Sequence, residues 1–382
     1  MRNLTFRRWL PALLALAAVV PMVGAACGGD ADTAEAGAAA PAVPGAIPAA
    51  VGKDDKADLT GAGATFPQPI YQAWFDDYRK VASGVKVNYQ GVGSGGGINQ
   101  FMEKTVDFGA SDVGISAVQL EKAPDAQLLP TVIGAVVLTY NLPGLKAPLK
   151  LDGPALADIY LGSIKKWNDP ALAALNPGVA LPNADIQVAY RSDSSGTSGV
   201  FTEYLSKVSP EWKDRVGMAT APKWPAGQGG QGNPGVATIV KQTPNSIGYV
   251  ELTYATQNKL PFADLKNRAG KFVTPSIESA SAAAAGVTVP EAYQVSLTDA
   301  NGDTAYPIAS FTYLILYKTT GACAKQTPLA DMLWWAFHDT GAQAAVQELG
   351  YAPLPPGLLP RIEATLKDLK CDNGAKASLK GG

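Results

Sequence analysis

Apolar and polar residues follow helical and strand-like spacings in turn along most of the chain. One segment carries apolar residues at intervals of four, four and three: Ile70, Trp74, Tyr78 and Val81. This spacing predicts one face of a helix, and the alternation across residues 85–90 predicts a strand after it. A second helix through Ile98 and Met102 and a short strand at 106–111 follow, so the unit is strand, helix, strand.

The same pattern returns in the middle of the chain. Residues 185–191 alternate as a strand does, the polar run SDSSG interrupts them, and residues 197–208 resume a helical period. Repeated strand–helix–strand units predict α/β domains with largely parallel sheets.

Two long apolar runs, residues 131–141 and 307–318, stand apart from these units. We interpret them as strands that cross between two lobes and form a hinge. Lobe I would then comprise residues 58–141 and 307–382, and lobe II residues 142–306. One continuous three-layer domain is the alternative.

Residues 1–26 combine three arginines, a short apolar stretch and a close of small residues, which predicts a secretory signal peptide. A membrane anchor that stays attached is the alternative. Small residues directly before Cys27 resemble a lipoprotein cleavage site and predict lipidation of Cys27. Gly24 stands where such signals usually carry a bulky aliphatic residue, so ordinary cleavage after Ala26 remains open. Residues 27–57, rich in Gly, Ala and Pro, are predicted to be a flexible tether.

Charge and residue counts exclude several classes of protein. The chain has 31 basic and 33 acidic side chains, and loss of the three leader arginines leaves 28 against 33, a net charge of -5. Such a balance does not favour nucleic acid or anionic lipid as a partner. With one histidine and three cysteines, a His/Cys metal cluster or a histidine-based catalytic centre is not expected, and no cofactor is indicated.

Cys323 and Cys371 are left as an even pair if Cys27 is lipidated. In an exported protein they are free to form a disulfide, although two unpaired buried thiols are the alternative. The one histidine, His338, lies in the predicted helix DMLWWAFH, where packing or capping beside Trp334 and Trp335 is the expected role.

Three polar stretches lie where an α/β protein binds its ligand, in loops that lead from strands into helix N-termini: GAGATFP (61–67), GVGSGGG (91–97) and RSDSSGTSG (191–199). Each offers free backbone N–H groups, and the last two add hydroxyls and a cation. Any one alone is usually only an N-cap, but three that converge predict a site for a small oxyanion.

Asp112 follows the predicted strand at 106–111 and is expected to face the same cleft. A carboxylate beside an oxyanion is repulsive unless the ligand carries a proton, as phosphate does near neutral pH and sulfate does not. Arg191 can donate two parallel hydrogen bonds to phosphate, and Asp193 can fix its guanidinium plane. A turn cap for Asp112 and a surface pair for Arg191 with Asp193 are the alternatives.

Several stretches resemble a known family over residues 59–351. They are LTGAGATFPQPIYQAWF, VNYQGVGSGGG, VDFGASD, PTVIGAVVL, IYLGSIKKWNDP, RSDSSGTS, GQGGQGNPG and IGYVE. They resemble the substrate-binding protein of the bacterial phosphate-specific ABC transporter. The resemblance implies an α/β, two-lobed type II periplasmic-binding-protein architecture, monomeric, with high-affinity phosphate binding outside the cytoplasmic membrane and delivery to an ABC permease.

The resemblance also implies a set of phosphate contacts. The backbone N–H groups of Thr65 and Phe66, the Thr65 hydroxyl and Ser94 would bind from lobe I, and Asp112 would accept the phosphate proton. Lobe II would supply the remaining contacts: Arg191, held by Asp193, with Ser195, Gly196 and Thr197. Ser194 departs from the family, in which glycine is common there.

Three other interpretations compete with this one. Gly91, Gly93 and Gly96 with Asp112 satisfy a dinucleotide-binding fingerprint, which does not explain the other two motifs. An exported phosphate-ester hydrolase would use Ser194 or Ser195 as nucleophile, without a G-x-S-x-G context. A surface scaffold with an incidental anion site would not need Asp112 to face a ligand. The sequence also lacks a Walker A motif, so ATP-driven transport requires a separate ATPase.

Overall fold

A computed structural model describes residues 52–377. The predicted signal peptide, the Cys27 lipidation site and most of the predicted tether lie outside these residues. The helices of the described chain are α1 Gln68–Val81, α2 Ser94–Met102, α3 Ala117–Lys122, α4 Gly153–Leu161, α5 Pro170–Leu175, α6 Gly196–Val208, α7 Pro210–Arg215, α8 Gly232–Gln242, α9 Leu252–Gln257, α10 Ile277–Ala284, α11 Cys323–His338, α12 Thr340–Glu348 and α13 Leu359–Asp368. The strands are β1 Lys56–Gly63, β2 Gly84–Gly91, β3 Phe108–Ser111, β4 Ala126–Asn141, β5 Lys150–Leu151, β6 Gln187–Arg191, β7 Gln228–Gly230, β8 Ser246–Glu251, β9 Asp264–Lys266, β10 Phe272–Val273 and β11 Ala309–Tyr317.

Eight strands form one sheet in the order β2-β1-β3-β11-β4-β8-β6-β7. The first group, β2, β1 and β3, is parallel, and so is the second group, β8, β6 and β7. The two long strands between them, β11 and β4, are antiparallel to each other and to their other neighbours β3 and β8. The expectation of parallel sheets therefore holds within each group, and antiparallel pairing joins the groups.

Strand β4 belongs to both halves of this sheet. Its residues up to Ala135 pair with β11, and its residues from Val136 to Asn141 pair with β8. Both β4 and β11 are almost wholly buried, which explains why their sequences are continuous apolar runs without alternation. These are the two runs that the sequence singles out.

Helix α1 shows how the core of the first group is built. Its buried face carries Ile70, Tyr71, Trp74, Phe75 and Tyr78. The predicted fourth position of this face, Val81, is wrong: Val81 ends the helix and is 39% exposed, and Ala82, where the backbone leaves the helical conformation, is buried instead.

Two further features concern the ends of the described chain. Strand β1 begins at Lys56, so the predicted tether of residues 27–57 is too long at its end. Cys323, at the start of α11, and Cys371, after α13, form a disulfide with a Cα–Cα distance of 4.9 Å. Within residues 52–377, none of the helices combines the length and the apolar character that a membrane span requires.

Candidate functional site

The three polar motifs meet at the carboxyl ends of the parallel strands. Thr65 follows β1, Ser94 begins α2 after β2, and Asp112 directly follows β3. From the second strand group, Arg191 ends β6, and Ser195 is the N-cap of α6. The side chains of the site are at most 3% exposed, although most of them are polar or charged: Thr65, Ser94, Asp112, Arg191, Ser195 and Thr197. Buried polar groups of this density need partners, and the partners define the chemistry of the site.

The hydroxyl of Ser94 joins the two strand groups. Its Oγ accepts the N–H of Asp112 at 3.2 Å and the N–H of Gly196 at 3.0 Å. A hydroxyl oxygen has two lone pairs, and both are used, so the Ser94 hydroxyl is left as a donor. Gly196 must be glycine here, because a Cβ would lie 2.3 Å from Ser94 Oγ and 2.8 Å from Asp112 Oδ2.

The hydroxyl of Thr65 has the same arrangement. Its Oγ1 accepts the backbone N–H of Asn233 at 3.1 Å and the Asn233 side-chain Nδ2 at 3.0 Å. Two tyrosines hold the backbone on either side of this hydroxyl: Tyr254 donates to the carbonyl of Thr65 at 2.5 Å, and Tyr351 donates to the carbonyl of Phe66 at 2.6 Å. Thr65 therefore also offers its hydroxyl as a donor only.

Asp112 is bonded by side chains from the long strand β11 and from the N-terminus of α6. Its Oδ1 accepts the Thr312 hydroxyl at 2.9 Å, and its Oδ2 accepts the Thr197 hydroxyl at 3.3 Å. Burial raises the pKa of Asp112 to about 7, and these two hydroxyls together with the charge of Arg191 keep the pKa from rising further. The turn-cap alternative is wrong, since the partners of this carboxylate lie 85 and 200 residues away along the chain.

Arg191 and Asp193 form a buried two-pronged ion pair. Arg191 Nε donates to Asp193 Oδ1 at 2.8 Å, and Nη2 donates to Oδ2 at 2.6 Å. Burial acts to raise the pKa of Asp193, but the hydrogen bonds and charge of Arg191 outweigh it and hold that pKa below its ordinary value. Arg191 is only 2% exposed, so the surface-pair alternative is wrong. The fork leaves Nη1 on the Thr197 side, 3.2 Å from Thr197 Oγ1.

Ser194 and Ser195 have separate structural partners. Ser195 Oγ accepts the N–H of Ser198 at 3.1 Å and so caps α6. Ser194 accepts the N–H of Gly95 on its carbonyl at 3.0 Å, and its hydroxyl lies 3.0 Å from that of Thr220. The serine that departs from the family pattern is thus accommodated beside the start of α2.

His338 is engaged elsewhere in the molecule. Its Nδ1 lies 2.7 Å from the Trp334 carbonyl, its Nε2 lies 3.0 Å from Glu363, and its ring stacks on that of Trp334 at 4.4 Å between centroids. The predicted packing role is confirmed. With both ring nitrogens bonded there, His338 is not placed to activate Ser194 or Ser195.

Two residues of the site were missed by sequence reasoning. Asn233 lies at the start of α8, within the stretch GQGGQGNPG, which carried the family resemblance but no assigned contact. Thr312 lies inside the long strand β11, where a threonine in an apolar run gives no signal of its own. Both are completely buried.

The assembled site offers donors in excess. The N-termini of α2, α6 and α8 meet there, and their partial positive charges add to one guanidinium that Asp193 already neutralises in part. Two hydroxyls can only donate, and one carboxylate with a pKa near neutrality can accept a proton. Such a set fits a small oxyanion that carries a proton.

Comparison with known proteins agrees with this chemistry. A family model described as a PBP superfamily domain matches residues 37–332. The phosphate-binding protein PstS of Pasteurella multocida is 48% identical over 322 residues, which cover 83% of this chain and 92% of that protein. The phosphate-binding protein PstS of Xylella fastidiosa strain Temecula1 is 46% identical over 309 residues, covering 80% and 84% respectively.

A solved structure shares the fold. The subatomic-resolution structure of a high-affinity periplasmic phosphate-binding protein (PfluDING) bound with phosphate superposes with a TM-score of 0.66 at 24% identity. It covers 81% of this chain and 93% of that one. This likeness confirms the expected α/β, two-lobed type II architecture with two strand crossings.

Proposed function

The chain belongs to the PBP superfamily and, within it, to the phosphate-binding proteins, and from this membership we propose that it binds inorganic phosphate with high affinity for import by an ABC transporter. The observation that carries the proposal is that two buried hydroxyl oxygens have both of their lone pairs occupied by N–H donors. Ser94 and Thr65 each accept two N–H groups and can only donate to a ligand. A site lined by such donors favours an oxyanion over a neutral or cationic ligand.

We propose that phosphate binds between two lobes that close on a hinge. Lobe I comprises residues 58–141 and 307–382, and lobe II comprises residues 142–306, with β4 and β11 as the crossings. The contacts from lobe I are the backbone N–H groups of Thr65 and Phe66 with the hydroxyls of Thr65 and Ser94. Those from lobe II are Arg191, Ser195 and Thr197; Gly196 lies beside them, with its N–H donated to Ser94 Oγ. Closure excludes water and strengthens each of these hydrogen bonds.

Asp112 supplies specificity in this proposal. In its ionised form it accepts the proton of hydrogen phosphate, whereas sulfate brings no proton near neutral pH and meets an unscreened carboxylate. Because the pKa of Asp112 is raised to about 7, the same proton can reside on either partner around neutrality. In the complex, phosphate and the Asp112 carboxylate then share one proton.

The chain acts by binding rather than by covalent chemistry. We propose that it is exported, that Cys27 carries a lipid which holds it at the outer face of the cytoplasmic membrane, and that it works as a monomer. It delivers phosphate to membrane permease subunits, and a separate ATPase drives the import. Release of phosphate to the permease requires the cleft between the lobes to open.

Calorimetric titration tests the proposal directly. The purified protein is unfolded and refolded to remove bound ligand, and is then titrated with phosphate and with sulfate at pH 8. We expect one-to-one phosphate binding with a Kd in the micromolar range or tighter, equivalent to about 8 kcal/mol or more, and no sulfate binding. Equal binding of both anions would make the site a general oxyanion trap, and binding of neither would overturn the proposed function.

A further inference from the structure

Asn233 is completely buried between segments that are distant in sequence. It is the second residue of α8, and 168 positions separate it from Thr65, to which it donates from both its backbone N–H and its side-chain Nδ2. The same Nδ2 lies 3.4 Å from Thr197 Oγ1. One amide group thus contacts a hydroxyl on each side of the cleft.

The backbone of β8 fixes which way this amide points. Asn233 Oδ1 accepts the N–H of Glu251 at 2.9 Å, and a backbone N–H can only donate. The atom that faces Glu251 is therefore the oxygen, and the atom that faces Thr65 is the NH₂ group. The hydrogen bond from the Glu251 N–H therefore fixes the Asn233 side chain as a donor towards the site.

This orientation determines what the Thr65 hydroxyl can do. With both of its lone pairs used by Asn233, Thr65 keeps only its own hydrogen to offer. A hydroxyl without these two donors could rotate and turn a lone pair towards an anion, which is repulsive. Asn233 removes that option.

We propose that Asn233 is a positioning residue for phosphate: it holds the Thr65 hydroxyl as an obligatory donor and joins the Thr65 segment to β8 and α6 in the closed form. This inference rests on the proposed function. Its bonds span the two lobes, so its loss should act mainly on the release of phosphate and much less on the rate of association.

The first test is a set of substitutions measured by phosphate titration. Asn233→Ala keeps the backbone donor but removes Nδ2, and we expect the Kd to rise at least about tenfold, chiefly through faster release. Asn233→Asp has nearly the same shape but replaces the donor with an acceptor that captures the Thr65 hydrogen. We expect it to raise the Kd further than Asn233→Ala. An aspartate variant that binds phosphate as tightly as the unmodified protein would overturn the proposal.

The second test separates positioning from simple structural support. In a double-mutant cycle with Thr65→Val, a positioning role predicts that Asn233→Ala costs little once the Thr65 hydroxyl is gone. Equal costs in the two backgrounds would show that Asn233 does not act through Thr65 and would overturn the inference. If Asn233→Ala does not fold, Asn233→Asp is carried through the same cycle.

Asn176 provides a matched control. It is 2% exposed, it bonds both the N–H and the carbonyl of Lys150 and the carbonyl of Leu172, and it shares no contact with the site. Asn176→Ala should lower the melting temperature and leave the Kd unchanged. If the unmodified protein fails to bind phosphate, the proposed function fails; if it binds and Asn233→Ala binds equally well, only this inference fails.

Discussion

Thr197 donates its hydroxyl to Asp112 Oδ2 at 3.3 Å, from the N-terminus of α6 to the residue that follows β3. The opposite oxygen of the same carboxylate accepts the hydroxyl of Thr312. The carboxylate is therefore held in a fixed orientation on both sides while each oxygen retains a further lone pair. A carboxylate held in this way can report on whether a ligand carries a proton.

Replacement of Asp112 by Asn should weaken phosphate binding and reduce the preference for phosphate over sulfate. An amide keeps the size of the side chain but cannot accept the proton as a charged group, and its NH₂ can donate to sulfate. We expect phosphate to lose about tenfold or more in affinity, while sulfate gains. Calorimetric titration of both anions at pH 8 measures the ratio, and an unchanged ratio would rule out the proton-acceptor role.

The raised pKa of Asp112 also predicts a dependence of stability on pH. The folded pKa of about 7 lies above the ordinary value, so between these two values the folded protein binds more protons than the unfolded chain. The contribution of Asp112 is then most favourable at low pH, and stability is lost as the pH rises towards 7. In phosphate-free urea denaturation, Asp112→Asn should gain about 1–3 kcal/mol relative to the unmodified protein between pH 5 and pH 8.

Glu251 also contributes to this measurement. It too is completely buried, and its pKa is raised by burial and, to a lesser extent, by the charge of Asp112, so its titration shifts when Asp112 is replaced by Asn. The difference between the two profiles therefore reports Asp112 together with its effect on Glu251. Parallel profiles from pH 5 to pH 8 would mean that Asp112 does not titrate in that range.

The local parts of the fold and the site could be predicted from the sequence because they depend on neighbours along the chain. The repeated strand–helix units, the polar motifs at helix N-termini and the proximity of Arg191 to Asp193 are all local patterns. The even number of cysteines left after Cys27 allowed either a disulfide between Cys323 and Cys371 or two unpaired thiols, and the structure contains the disulfide.

The remaining features depend on contacts that local patterns do not encode. Thr312 reaches Asp112 across 200 residues, and Asn233 reaches Thr65 across 168. The raised pKa of Asp112 follows from burial among segments that are distant in sequence, which no single motif contains. The antiparallel placement of β11 between β3 and β4 likewise arises only when the chain returns from the second strand group.

Loss of the disulfide should lower stability without affecting the site. The bridge closes a loop of 48 residues, and in the chain-entropy treatment such a loop contributes about 3 to 4.5 kcal/mol. Urea denaturation of the double variant Cys323→Ala, Cys371→Ala should show this loss, whereas its phosphate Kd should match that of the unmodified protein. A variant of equal stability would show that the bridge adds nothing to folding, and a changed Kd would connect it to the site.

Replacement of Arg191 by Ala should cost phosphate binding about 3 kcal/mol, a loss of more than a hundredfold, because the ligand loses a charge-assisted donor in a buried setting. Arg191→Lys keeps the charge but cannot form the two-pronged pair with Asp193, so its affinity for phosphate should lie between that of the unmodified protein and that of Arg191→Ala.

Arg361→Ala is the control, since that guanidinium donates to the carbonyls of Val289 and Pro290 and stands over Tyr293. It should alter stability and leave the Kd unchanged. A loss below about 1 kcal/mol for Arg191→Ala would mean that the guanidinium serves only to neutralise Asp193, and that the helix N-termini and hydroxyls bind phosphate without a cation.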